Sequence, residues 1–164
     1  MPPSQPPTAD LKLNRFLPYR LNILSKKVSL ALAARYQDRF GLSIPEWRVF
    51  ATLGQEQPLS SNDIVERTAM DKAKVSRAVN RLVAAGLLDR QVHPQDQRLL
   101  RLSFSTAGKD LYRQVATEAL AWEEKLLSEL SAGERDQLWA LMGRLEERLA
   151  SEIPPETPLS DSLD

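Results

Sequence analysis

Val75, Ala78, Val79 and Leu82 recur at i, i+3, i+4 and i+7, and that spacing commits the stretch from Lys72 to Ala85 to a helix with one buried face. Gly86 is its stop, and Asp71 is the residue type that caps free amide groups at a helix start. Its neighbours restrict the segment further. Ser60 and Asp63 stand at capping-box spacing for a helix from Ser61 to Arg67, which leaves only Thr68, Ala69 and Met70 for a turn. After Gly86 the period shortens to near-alternation, with Leu88, Arg90 and Val92, a polar HPQDQR tip, then Leu100, Leu102 and Phe104. That pattern predicts a β-hairpin with a long loop.

The flanks read as helices. The first is expected from about Pro18 to Phe40, with Leu21, Leu24, Val28 and Leu32 on one stripe, a second line of Ile23, Leu30 and Ala34, and Gly41 as its stop. A helix this apolar wants partners on more than one side. Ser43 and Glu46 form another capping pair, opening a helix that carries Trp47, Phe50 and Leu53 and ends before a turn around Gly54 and Pro58. Beyond Ser105 two more helices are expected, Thr106 to Leu130 and Glu134 to Ala150. The second is capped by Ser131/Glu134 and bears Leu138, Leu141, Leu145 and Leu149. Trp122 and Trp139 lie on or beside these stripes and read as core residues.

The expected fold is therefore mainly α with a small β-hairpin wing, a winged helix-turn-helix over 43–104 carried by helices at 13–42 and 105–150. The proline-rich ends, 1–12 and 151–164, read as disordered tails. The end helices are more hydrophobic than a monomer of 164 residues requires, which suggests a homodimer.

Composition removes several function classes. There is no cysteine and a single histidine, His93, so a disulfide scaffold, a thiol sensor, a Cys nucleophile and the common zinc sites are not expected, and neither is a metal or cofactor. Glu123, Glu124, Glu146 and Glu147 read as solvated helix faces, and no nucleotide-binding or triad motif points to an enzyme. No apolar run approaches a membrane span and the N-terminus lacks a signal pattern, so a cytoplasmic location is expected.

Net charge is zero, yet it is unevenly spread. Seven basic residues face three acids between Asp71 and Arg101, whereas four face twelve between Glu118 and Asp164. Phosphate responds to the local field, so the first segment can meet nucleic acid while the acidic end faces away. On the helix after Asp71, the face opposite the apolar stripe presents Ala73, Ser76, Arg77 and Asn80, with Lys74 and Arg81 on a flank. Arg suits guanine, Asn suits adenine and Ala the thymine methyl, whereas the flanking cations suit phosphates. In isolation such a face could be no more than a solvated basic surface; the capped helix before it and the hairpin after it favour DNA reading. Arg98, two residues after Asp96, is a candidate for minor-groove contact from the wing, the alternative being a surface ion pair. A winged helix that binds a protein partner and no DNA is the rival reading.

The stretch SSNDIVERTAMDKAKVSRAVNRLVAAGLLDRQVHPQDQRLLRLSFSTAG resembles the MarR family of bacterial transcriptional regulators. The specific part is DKAKVSRAVNRLVAAGLLDR, followed by D-x-R and a strand leading to S-T-x-G. The resemblance implies an obligate dimer whose end helices interlock and place two winged helices on one pseudo-palindromic DNA site, with recognition helices about 34 Å apart. It also implies repression relieved by a small aromatic or lipophilic acid, or its thioester. By position Lys27 and Trp47 are its candidate contacts, with Arg20 and Tyr19 as rivals and a plain core role open for Trp47. Gln95 and Gln97 depart from the more basic wing tips of the family. The lack of cysteine and the single histidine set the chain apart from its thiol- and zinc-responsive members.

Overall fold

Helix starts fall where the capping residues stand. In the computed structural model, which describes residues 11–93 and 96–153 and omits the side chains of 93–99, a short 3-10 turn at Leu13–Arg15 leads into α1 (Leu17–Phe40). Then follow α2 (Ile44–Gln55), α3 (Ser61–Thr68), α4 (Lys72–Ala84), β1 (Leu88–His93), β2 (Asp96–Phe104), α5 (Thr106–Leu127) and α6 (Ala132–Ala150). The expected tails lie outside the described residues except at 11–12 and 151–153. Reciprocal capping boxes close the starts of α2 (Ser43/Glu46), α3 (Ser60/Asp63) and α6 (Ser131/Glu134). Asp71 caps α4, its carboxylate accepting from the Lys74 amide at 2.7 Å. Gly41 and Gly86 end α1 and α4 with φ of 69° and 70°, a conformation that costs glycine nothing. Ala69, in the turn between α3 and α4, takes the same left-handed region at φ 52°.

The two strands pair antiparallel, with Leu88 opposite Phe104, Arg90 opposite Leu102 and Val92 opposite Leu100. The root of this hairpin is tied further: Leu59, just before α3, exchanges backbone hydrogen bonds with Leu102 at 3.0 and 2.7 Å. The core lies between α2, α3, α4 and the hairpin root, where Phe50, Ile64, Val75, Val79, Leu82 and Leu102 are buried. Phe50 and Phe104 meet edge to face, centroids 5.0 Å apart.

Three expectations are corrected. The hairpin does not have a long loop: β1 runs to His93 and β2 begins at Asp96, with these two residues paired, so the strands take up most of the HPQDQR stretch. α2 does not end before Gly54 but runs through it to Gln55. The glycine serves close approach: a Cβ there would lie 2.1 Å from the Tyr112 ring of α5. Trp139 is not a core residue but 51% exposed, because no residue of α6 is buried within the chain. α1 buries only Ala33 and Tyr36. Leu21, Leu24, Leu141, Leu145 and Leu149 are exposed. No helix among the described residues is long and apolar enough to cross a membrane.

Candidate nucleic-acid interface

The α4 helix divides as its sequence pattern requires. Val75, Ala78, Val79 and Leu82 are buried, while Ala73, Lys74, Ser76, Arg77, Asn80 and Arg81 are all exposed. With burial of the four fixing the helix's rotation, the outer residues have one orientation relative to the hairpin. Arg98 lies in β2, but its side chain belongs to the undescribed part.

The exposed face has two flanks of different chemistry. Lys74, Arg77 and Arg81 line a groove of about 260 Å³ against the start of α2, with Ser43, Pro45 and Glu46 on its other wall. Glu46 is buried, and its carboxylate accepts from the Ser43 amide at 2.6 Å and hydroxyl at 2.7 Å. Its other oxygen stands 3.9 Å from Arg81, so one acid both caps α2 and steers a cation of α4. Lys74 Nζ is 3.0 Å from Asp71. The backbone amide of Lys74, then its ammonium, holds the Asp71 carboxyl below its ordinary pKa, so the cap stays charged at neutral pH. Lys26 of α1 and Arg48 of α2 line the neighbouring groove with Lys74, which extends the basic edge beyond α4.

On the other flank Arg90 of β1 donates from its guanidinium to Asn80 Oδ1. Sequence reading passed over Arg90 as one of the alternating strand residues; its signal was the shared face with Leu88, two positions earlier. Arg101, counted above among the cations of the basic segment, is committed to the fold. It donates to the Pro58 carbonyl at 3.1 Å and lies 3.8 Å from Asp63.

A separate cleft of about 370 Å³ opens between α1, α2 and α5. Val28, Leu32, Trp47, Tyr112, Ala116 and Trp122 line it, with Gln55 and Glu123 as polar groups. Trp47 and Tyr112 stack with centroids 6.5 Å apart, and the Tyr36 ring, tilted against Trp47, lies 5.7 Å from it. Of the candidate ligand contacts only Trp47 lines this cleft. Lys27, Arg20 and Tyr19 are exposed on α1, Arg20 pointing back to the Asn14 carbonyl at 3.5 Å. Tyr112 and Trp122 were missed as cleft residues because their partners lie on other helices.

Residues 40–99 match the MarR family. The HTH-type transcriptional regulator PecS of Dickeya dadantii is 29% identical over 116 residues, 69% of this chain and 70% of that protein. Three curated relatives are matched over 65%, 70% and 72% of their own length. Among solved structures, a MarR/EmrR family transcriptional regulator from Acinetobacter sp. ADP1 superposes with a TM-score of 0.78 at 28% identity, covering 86% of this chain and 99% of that one. Bordetella bronchiseptica BpsR, whose DNA binding is regulated by 6-hydroxynicotinic acid, shares the fold with a TM-score of 0.73 at 20% identity, covering 84% and 98%. The pattern of buried and exposed residues on α4 and the hairpin root beside it agree with these likenesses: over residues 40–99 the chain matches the MarR family, and as a whole it is similar to winged helix-turn-helix transcriptional regulators of that family.

Proposed function

We propose that this regulator binds duplex DNA sequence-specifically as a homodimer, with α4 of each copy in a major groove and the hairpin beside it, and that it represses until a small aromatic or lipophilic acid, or its thioester, binds. The observation that carries this reading is the two-sided α4 helix, held by four buried apolar residues and offering Ala73, Ser76, Arg77 and Asn80 outward. Arg77 and Asn80 suit base edges, whereas Lys74 and Arg81 suit phosphates along the α2 flank. The exposed leucines of α1 and α6 supply the dimer surface. With 13–42 and 105–150 as the dimerisation region and 43–104 as the reading head, both heads lie over one pseudo-palindromic site.

The effector reading rests on the cleft walled by Trp47, Tyr112 and Trp122, since stacked rings around a partly apolar cavity suit a flat aromatic ligand. An effector held between the end helices and the reading head acts by shifting the population of half-site spacings, with a coupling of about 1–3 kcal/mol. Lys27, Arg20 and Tyr19 lie on the exposed α1 surface that a second copy covers, and they remain the candidates for an acid's polar end. BpsR offers a precedent within the fold, its DNA binding being regulated by 6-hydroxynicotinic acid.

The test is duplex binding by fluorescence anisotropy, on a site selected from a random library and on scrambled DNA, across a salt series. Affinity is expected to fall steeply with salt through counterion release. Arg77→Ala should weaken the selected site about tenfold more than scrambled DNA, whereas Lys74→Ala should weaken both alike. Equal losses for the two variants would remove the division between base and phosphate contacts. No binding at low salt would remove the function.

A further inference from the structure

Arg90 closes the stretch that carries the family resemblance, and none of the roles given above uses it. Along β1 the residue two positions before it, Leu88, is buried, and so is Leu102, the strand partner of Arg90. One repeat further out the strand has cleared the core, so Arg90 emerges beside α4 on the flank away from the Lys74 and Arg81 groove. There it donates to Asn80, which is itself exposed one turn beyond Ser76. Arg90 makes no ion pair with a carboxylate among the described residues, and its hydrogen bond goes to a neutral amide.

We propose that Arg90 is a positioning residue that determines base specificity, by holding the Asn80 side chain so that its amide NH2 group is turned toward the DNA. A guanidinium has donors and no acceptor, so only the carbonyl oxygen of Asn80 can face it. This sets the orientation of an otherwise ambiguous amide. An asparagine that reads adenine in the usual paired way needs both its oxygen, for N6–H, and its nitrogen, for N7. With the oxygen held by Arg90, Asn80 offers donors, and the edges that suit donors are purine N7, guanine O6 and thymine O4. The adenine preference expected of a free asparagine is thus replaced by a preference for an acceptor edge, and the helix and the wing root read that base as one unit.

The proposal rests on the DNA-binding reading, and its test separates the two. Wild-type protein is used to select duplexes from a random library, and Arg90→Ala, Asn80→Ala and the double variant are measured on the selected site and on scrambled DNA. Each single variant is expected to weaken the selected site about tenfold, with the double variant within about twofold of the weaker single. Scrambled DNA should change by less than about twofold, and repeat selection with either variant should lose preference at the same base pair. Multiplied losses in the double variant would overturn the proposal. So would equal weakening of both duplexes by Arg90→Ala with a salt slope lower by about one, the signature of a phosphate contact. In DNA-free protein, Arg90→Ala should also move the NMR signals of the Asn80 side-chain NH2; an unmoved pair would overturn the contact itself. Should wild-type protein select no sequence, the DNA reading fails, while the NMR result still decides whether Arg90 holds Asn80.

Discussion

The reading head and the end helices are built from similar amounts of leucine and valine but dispose of them in opposite ways. α4, only 13 residues long, buries four apolar side chains. α6, with 19 residues and a leucine stripe, buries none. A helix draws most of its stability in water from packing its apolar face, so the two regions differ in where their stability originates. The head completes its core within one chain. The end helices leave theirs exposed, and in the proposed dimer that apolar exposure is the surface another copy covers.

The contrast can be broken most directly in the head. Leu82→Ala removes a side chain that is 2% exposed and should cost about 3 kcal/mol in urea unfolding, through lost burial and the cavity left behind. If the head is self-contained, most of this loss should persist on dilution. The end helices should behave differently. Leu141→Glu together with Leu145→Glu places charges on a surface that is already exposed in the single chain, so helical content should hold while sedimentation shows monomers. Loss of the second head should lower affinity for a paired site about 100-fold, since two linked contacts gain by effective concentration. A dimer that survives this pair would show that α6 is not the interface.

The smallest effect is expected at the junction of the two regions. Burial pushes the Tyr36 hydroxyl up to about 12, against a weaker opposing pull from Arg48. Between 10 and 12 the unfolded chain has lost this proton and the folded chain keeps it. Stability from this group is therefore full below pH 10 and lost as pH rises toward 12. Thermal unfolding across that range should show the decline in the wild type and a shallower one in Tyr36→Phe. An identical decline in both would locate alkaline sensitivity elsewhere.

What the sequence disclosed is what local physics decides. Capping boxes act within four residues, and the α4 stripe within two helical turns, so Ser43/Glu46, Ser60/Asp63, Asp71 and the buried Val75, Ala78, Val79 and Leu82 were all legible. The outer residues of α4 followed by elimination. Pairings across elements were hidden. Nothing near Gly54 announces that Tyr112 will press against it, so the end of α2 was placed too early. Nothing near Asn80 announces Arg90, 10 residues on, in a different kind of structure. Trp139 was misread for the same reason. An apolar stripe shows that a face seeks cover but not whether the cover comes from its own chain.

The bridge between Leu59 and Leu102 bears on how such a molecule can be switched. A hairpin joined to its domain only through its two ends would behave as a flap, free to swing without disturbing the recognition helix. Here the hairpin root is moored by a pair of backbone bonds to the segment that enters α3, and Arg90 lashes its outer side to α4. Such a head is braced as one piece, like a key bit soldered to its shank. In the dimer proposed above, a signal arriving through α1, α2 or α5 would be left with the separation and tilt of the two heads as its means of releasing DNA.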